Sequence, residues 1–318
     1  MKRAALICAM LATLSPTYAE AAEQIWRVGV LALADDGAVR AVILPYLATR
    51  GFVEGRNLVV DVRLVPEEKM PEVARALVGD RPDAIIALSD WALHAARAAT
   101  STIPIIVSPM GEDPVLAGVA GSWAHPGGNV TGVSLIAPEL EVKRLSLLRD
   151  ALPSVHRVAV LANHRKVIEP GILRLRKIAA ELGFELFDFW VEGPDDYPAA
   201  FDAMRRAGAE ALLIVPTPET GRDTGQLATL ALKFGLPTIG GGRGSAKRGF
   251  LIGYGPNLRE LGEQAASYVE RILKGEQAGE LPFQGPTHFD FAINMRTAKA
   301  LGLTIPPSLL VGADEVIE

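Results

Sequence analysis

Short runs of aliphatic and β-branched residues alternate along the chain with longer segments in which hydrophobic residues recur every three or four positions. Residues 84–88 are continuously apolar, as in a buried strand, and residues 57–64 alternate apolar with polar side chains, as in a half-buried strand. Strands that alternate with amphipathic helices are typical of α/β proteins with parallel sheets. The pattern therefore predicts an α/β fold.

Two series of such units follow one another, separated by the turn-rich segment 125–129. The predicted strands are residues 26–33, 57–64, 84–88, 103–107, 130–135, 157–162, 185–190, 211–215, 237–239, 251–254 and 288–293. The predicted helices are residues 38–49, 71–79, 91–99, 114–123, 138–152, 170–182, 197–207, 224–234, 257–274 and 295–301. A chain of 318 residues is long for one compact domain. We therefore expect two doubly wound lobes.

The last part of the chain, residues 250–318, is too short to form a third domain with a large core. We expect it to cross between the lobes and to add a piece to each. Lobe 1 is then predicted to comprise residues 24–132 plus 256–287, and lobe 2 residues 133–255 plus 288–318. Ligands of such sheets bind beyond the carboxyl ends of the strands, so these ends are expected to line one shared cleft.

The first residues have the pattern of a secretory signal peptide, assigned to residues 1–21. Lys2 and Arg3 precede an uncharged apolar stretch over residues 4–14, and Thr17-Tyr18-Ala19 resembles a signal peptidase site. The alternative is a membrane anchor, but the stretch is shorter than the ~20 residues that span a bilayer. We therefore expect cleavage and export to the periplasm.

Several classes of chemistry are disfavoured by composition. The only cysteine, Cys8, lies in the predicted signal peptide after Ile7, where a lipoprotein would need a small residue. The exported chain is thus expected to lack disulfides, zinc–thiolate sites and cysteine nucleophiles. A net charge of −5 argues against nucleic acid as a partner. The sequence contains no nucleophile-elbow motif and no phosphate-binding loop. Its five histidines do not have the spacing of metal ligands. We expect no enzyme activity, metal or cofactor.

Several motifs carry a family resemblance over nearly the whole exported chain. They are residues 102–107 (TIPIIV), 113–115 (DPV), 125–132 (HPGGNVTG), 294–310 (NMRTAKALGLTIPPSLL) and 313–318 (ADEVIE). The chain resembles the ABC-transporter substrate-binding family that contains tryptophan- and tyrosine-binding-type proteins. The resemblance implies a type I periplasmic-binding-protein fold with two Rossmann-like lobes, three crossover strands and one ligand in the cleft. It also implies delivery of that ligand to ABC permease subunits in the inner membrane.

The loops after predicted strands of lobe 1 supply the first candidate ligand contacts. Ser89, Asp90 and Trp91 open a predicted helix, whose N-terminus suits a carboxylate, although Ser89 or Asp90 could instead cap the helix. Further candidates after the strands are Asp35, Asp36, Ser108, Met110 and, on the first crossover, Ser134. Asp113 precedes Pro114 and is expected to cap a helix.

In lobe 2 the preferred polar contacts are Asn163 and Thr217, each after a predicted strand. Gly241 belongs to a glycine-rich segment, 240–244, that could bring backbone close to a ligand or could be a flexible surface loop. Arg243 in that segment could meet an anion. Tyr254 is a candidate aromatic wall, and His164 is expected at the rim of the cleft.

Together these features predict a monomeric binding protein for a small molecule. The resemblance favours an amino acid, aromatic or branched, followed by an aromatic carboxylate, while a sugar or other polar metabolite stays open. A periplasmic sensor that presents its ligand to a membrane receptor is an alternative that the sequence does not separate from transport.

Overall fold

Two mostly parallel β-sheets, each covered by helices, organise the chain. The computed structural model describes residues 24–33, 36–135, 137–163 and 165–318, so the predicted signal peptide lies outside the described residues. The first sheet has five parallel strands in the order β2-β1-β3-β4-β5. These strands are β1 Trp26–Ala32, β2 Leu58–Leu64, β3 Ala84–Ala87, β4 Ile105–Met110 and β5 Val130–Ser134.

The second sheet has seven strands in the order β12-β11-β10-β9-β8-β6-β7. All its pairs are parallel except β10 with β11. The strands are β6 Arg157–Ala162, β7 Glu185–Trp190, β8 Ala211–Ile214, β9 Thr238–Gly240, β10 Ile252–Pro256, β11 Phe289–Asn294 and β12 Glu315–Ile317. The predicted α/β class with two mostly parallel sheets is confirmed.

Helices cover both faces of each sheet. They are α1 Leu44–Thr49, which continues a π-helical turn at Val39–Ile43, α2 Met70–Gly79, α3 Asp90–Ala99, α4 Ala137–Ala151, α5 Arg165–Glu181, α6 Tyr197–Arg206, α7 Pro218–Arg222, α8 Thr224–Lys233, α9 Gly242–Lys247, α10 Leu258–Leu273, α11 Met295–Ala300 and α12 Pro307–Val311. Within the described part of the chain, none of the helices has both the length and the apolar character of a membrane span.

Each sheet separates two hydrophobic clusters, because its strands are buried on both faces. In the first sheet one cluster includes α10 with Tyr268 and Val269, and the other includes α2 and α3. In the second sheet α4 and α5 cover one face, while α6 and α8 cover the other around Tyr197 and Phe201. Each sheet, together with its helices, therefore forms an α/β unit with its own hydrophobic core.

The chain passes between the two packed units three times. β5 of the first sheet leads to α4 on the second, β10 of the second leads to α10 on the first, and the segment after Gln284 leads to β11 of the second. The Gln284 carbonyl accepts from the Ser134 backbone N at 2.9 Å, which ties the first and third passages together. The lobe boundaries 24–132 plus 256–287 and 133–255 plus 288–318 stay a prediction.

Several local structures differ from the predictions. The helix expected over 114–123 is a single turn, because Gly118 adopts a φ of +64° and the Val119 and Ala120 amides return to the Pro114 carbonyl. The segment 240–244 is no loop, since β9 ends at Gly240 and α9 begins at Gly242. The strand β12 was not predicted, because its three residues form a strand only by pairing with β11.

Candidate ligand-binding site

The carboxyl end of β3 leads directly into α3. Ser89 is the N-cap of this helix, and its hydroxyl oxygen accepts from the Ala92 backbone N at 3.2 Å. Its side chain is buried, so the capping role that we considered as an alternative is the one observed. Trp91, at the second position of the helix, is partly buried. The junction therefore places the start of a helix, capped by Ser89, at the carboxyl end of β3.

Asp90 joins two strand-end loops of the first sheet. Both of its carboxylate oxygens lie 3.1 Å from the backbone N of Gly111, which follows β4. Burial raises the pKa of Asp90 to about 6, and the neighbouring Glu112 carboxylate adds to this shift. Glu112 in turn lies near His94, with Nε2 and Oε2 3.3 Å apart. The Ser134 hydroxyl donates to the Glu112 carbonyl at 3.2 Å, so β5 is linked to the same cluster.

Replacing Asp90 with asparagine is expected to change how stability depends on pH. A carboxyl with a pKa of about 6 in the folded chain and about 4 in the unfolded chain is protonated more readily when folded. The wild-type protein should therefore lose stability relative to Asp90→Asn as pH rises from about 4 to about 6. Asparagine keeps an acceptor for the Gly111 amide. Melting temperatures of both proteins at pH 4, 5, 6 and 7 measure the difference, and a constant difference would contradict the assignment.

The remaining candidates of the first lobe that the structure describes are buried or already bonded within the chain. β4 extends to Met110, so Ser108 lies within the strand, buried, and the Met110 side chain packs fully buried in the hydrophobic cluster with α3. Met110 therefore belongs to the core in this structure and not to a loop as expected, and its contact with a ligand stays a prediction. Asp36 is paired with Arg40 at 2.8 Å, and Asp35 lies outside the described residues. Asp113 accepts from the Val115 and Leu116 amides at 2.8 Å, and so caps a turn.

At the second sheet, Asn163 follows the last residue of β6. It is 5% exposed, and its Nδ2 donates to Glu219 Oε2 at 3.1 Å, whereas its Oδ1 has no hydrogen-bond partner among the described residues. Thr217 follows β8 and caps α7 through a reciprocal pair of bonds with Thr220. Asn163 and Thr217 each follow a strand, as predicted, and the strand order shows that these strands, β6 and β8, are neighbours. His164 lies outside the described residues.

A buried ion pair next to these strand ends was missed by the sequence analysis. Arg144 on α4 is 2% exposed; its Nε donates to the Tyr254 carbonyl at 2.8 Å, and its Nη1 donates to Glu141 Oε1. Burial raises the pKa of Glu141, an effect opposed by Arg144. The only hint in the sequence was two opposite charges one turn apart on an amphipathic helix, a spacing typical of exposed pairs.

Gly241 lies where β9 meets α9 and is the N-cap of α9. A Cβ atom placed on Gly241 would lie 2.8 Å from Pro216 Cγ and 3.8 Å from Arg144 Nη2. The guanidinium of Arg243 is already paired with two carboxylates, since it lies 3.5 Å from Asp290 Oδ2 and 3.7 Å from Glu315 Oε2. The glycine at position 241 therefore lets the ends of β8 and β9 approach the buried arginine.

Tyr254 does not lie beside Asn163 and Thr217. Its ring stacks on Phe289 at 5.9 Å between centroids and borders a groove of about 700 Å³ that is lined by α4, β11 and α12. This groove lies on the face of the second sheet that α4 covers, away from β6 and β8. The role of Tyr254 as a wall of the cleft is not supported by this position.

The candidate site thus consists of the polar residues that follow the strands at the carboxyl ends of the two sheets.

A model of the ABC transporter substrate binding protein family matches residues 39–317. The chain belongs to this family of ABC transporter substrate-binding proteins. The predicted family is confirmed, and the interpretation as a binding protein instead of an enzyme holds at the level of the family. Among the described residues, no group of three or more histidine, cysteine, aspartate or glutamate side chains is arranged to hold a metal ion.

Individual relatives agree with the family assignment. This substrate-binding protein is 28% identical over 263 residues to the tyrosine-binding protein of Clostridioides difficile, which covers 81% of this chain and 74% of the relative. A conserved domain protein from Vibrio cholerae is 26% identical, with a TM-score of 0.84 over 92% of this chain and 100% of the other. An ABC domain from Streptococcus pneumoniae in complex with L-Trp shares the fold at 21% identity, with a TM-score of 0.83 over 92% and 100% of the two chains.

Proposed function

We propose that the protein is the periplasmic solute-binding component of an ABC importer and binds an amino acid, aromatic or branched, or an aromatic carboxylate. The observation that carries the proposal is the family match over residues 39–317. The name of the tyrosine-binding relative and the L-Trp complex of the structural neighbour support the ligand class. Two facing lobes, 24–132 plus 256–287 and 133–255 plus 288–318, would hold the ligand between their polar edges.

The chemistry of the two edges supports a ligand that is held by hydrogen bonds and not transformed. The edge of the first sheet has the start of α3 at Ser89 and the partly buried carboxyl group of Asp90. The edge of the second sheet has Asn163, Thr217 and the Glu141–Arg144 pair. A few polar groups that fix orientation, set on rigid strand ends, are typical of small-molecule sites.

In the proposed mechanism the lobes rotate about the three passages between the sheets. The ligand touches both edges only when the lobes close, so it stabilises the closed form by its greater affinity for that form. The closed form then docks on the permease in the inner membrane and releases the ligand for transport. The protein needs no bound cofactor for this cycle, and it acts as a monomer.

A thermal-shift screen tests the proposed ligand class. Purified protein, freed of carried-over ligand by unfolding and refolding, is heated with aromatic amino acids, branched amino acids, aromatic acids and sugars. A ligand at ~1,000 times its Kd should stabilise the fold by about 4 kcal/mol, which raises the melting temperature by several degrees. Shifts confined to sugars, or the absence of a shift with every compound, would contradict the proposal.

A further inference from the structure

The three passages of the chain between the two sheets are bonded to one another in the region where they cross, which we call the hinge. The Ser134 backbone N donates to the Gln284 carbonyl at 2.9 Å, which joins the first passage to the third. The Asn257 backbone N donates to the His288 carbonyl at 3.1 Å, which joins the second passage to the third. Both bonds join backbone atoms, so they do not depend on which side chains these residues carry.

A side chain joins the first passage to the second. Arg144 lies on α4, the helix into which the first passage leads, and its Nε donates to the Tyr254 carbonyl at 2.8 Å. Tyr254 belongs to β10, which continues into the second passage after Pro256. With this bond each of the three passages is bonded to both of the others.

The Tyr254 carbonyl needs a donor from outside the sheet. The residues on either side of β10, Leu251 and Asn257, both bond to the chain that forms β11. Alternate residues of an antiparallel strand bond to the same neighbour, so Tyr254, which has the opposite parity, directs its carbonyl towards β9. β9 ends at Gly240, before it provides a partner for that carbonyl. The guanidinium of Arg144 therefore takes the position of a missing strand residue.

Burial and shape make arginine suited to this position. Arg144 is 2% exposed and Gly255 is also buried, so water is not at hand to replace the bond. A Cβ atom placed on Gly255 would lie 3.3 Å from Arg144 Nη2, which puts the guanidinium directly against the backbone of β10. Its Nη1 donates to Glu141 Oε1 at the same time. A lysine could keep its charge beside Glu141, but it lacks the Nε donor that reaches Tyr254.

We infer that Arg144 is a positioning residue of the hinge: its bond to the Tyr254 carbonyl links the first passage to the second and so confines the rotation of the two lobes to one path. This inference rests on the proposed function, in which the lobes rotate to close on a ligand. Without the bond, α4 and β10 can shift against each other, and the lobes of the ligand-free protein then sample more orientations. The role requires no contact between Arg144 and the ligand.

Distances between two spin labels test the inference without any ligand. Cys8→Ser removes the only native cysteine, and Leu116→Cys and Asp195→Cys then carry the labels. These exposed residues follow β4 and β7, at the carboxyl ends of the two sheets. Double electron–electron resonance should give a distance distribution roughly twice as broad when Arg144→Lys is added, because the rotation is less confined. A distribution as narrow as that of the protein with Arg144 would overturn the inference.

Arg149→Lys is the matched control on the same helix. Arg149 also donates to backbone carbonyls, those of Leu182 at 2.9 Å, Pro153 at 2.8 Å and Val155 at 2.7 Å, but none of these lies on a passage between the sheets. This variant should keep the narrow distribution. Broadening as large as that of Arg144→Lys would assign the effect to weakened packing of the second sheet and overturn the role of the hinge bond.

A second variant keeps the test decisive if Arg144→Lys folds poorly. Arg144→Met combined with Glu141→Leu removes the same bond to Tyr254 and leaves no charge buried alone. It should broaden the distribution as Arg144→Lys does. Melting curves followed by circular dichroism establish that each labelled protein is folded at the temperature of labelling, and a narrow distribution in the folded double variant would overturn the inference.

The same labels separate this inference from the proposed function. L-tryptophan, L-leucine and benzoate are added in turn to the labelled protein that retains Arg144, and one of them should shorten the distance as the lobes close. No shortening with any of them, together with a broader distribution in Arg144→Lys, would contradict the proposed ligand class and support the role of Arg144. Shortening together with an unchanged distribution in Arg144→Lys would support the proposed function and overturn the role of Arg144.

Discussion

Replacing Arg144 with methionine should lower the free energy of unfolding by about 3–5 kcal/mol, because the change leaves the Glu141 carboxylate buried without its partner. The arginine side chain is 3% exposed and the Glu141 side chain 14% exposed. The variant also removes the donor to the Tyr254 carbonyl at 2.8 Å. Methionine fills most of the arginine volume, so the effect reports on the charge and the hydrogen bonds.

Urea unfolding followed by circular dichroism measures this effect, and two controls define it. Arg205→Met removes a guanidinium that is 68% exposed and paired with Asp202, and it should cost less than about 1 kcal/mol. Combining Arg144→Met with Glu141→Leu should recover part of the loss, since no charge is then buried alone. A cost below about 1 kcal/mol for Arg144→Met would show that water reaches the pair.

Gly253→Ala should destabilise the second sheet by about 3 kcal/mol, at the upper end of what overpacking costs. A Cβ atom on Gly253, in β10, would lie 2.1 Å from the Gly242 carbonyl oxygen and 2.9 Å from the Gly242 carbonyl carbon. These are backbone atoms, so the start of α9 has to move as a whole. Because Gly241 and Gly242 lie at the edge of the candidate site, the variant should also bind its ligand more weakly.

The free energy of unfolding and the ligand affinity of Gly253→Ala are compared with those of Gly171→Ala. Gly171 lies inside α5, and a Cβ atom placed there meets nothing within 4 Å. Alanine at that position should stabilise the helix by about 0.5–1 kcal/mol, because glycine is the more flexible residue in the unfolded chain. Similar effects of the two variants would mean that the close approach of β10 and α9 does not constrain the fold.

The positions of the strands and most helices follow from the sequence because they depend on local periodicity. β6 and β7 have the predicted bounds 157–162 and 185–190, and α3 follows β3 within one residue of the predicted start at 91. Parallel strands buried on both faces are continuously apolar, which makes them visible without knowledge of their neighbours. The sequence also placed Asn163 and Thr217 after strands, although only the structure shows that these strands are adjacent.

The tertiary structure alone decided which polar groups share one site. Met110 looked like a loop residue until β4 was seen to extend through it and to turn its side chain into the core. Glu141 and Arg144 were not singled out in the sequence, and they are buried because α4 packs on β9 and β10. Burial of a charged side chain depends on distant residues that cover it, and one-dimensional periodicity carries no information about them. The family and the two-sheet fold were therefore readable in the sequence, whereas the buried Glu141–Arg144 pair emerged only from packing.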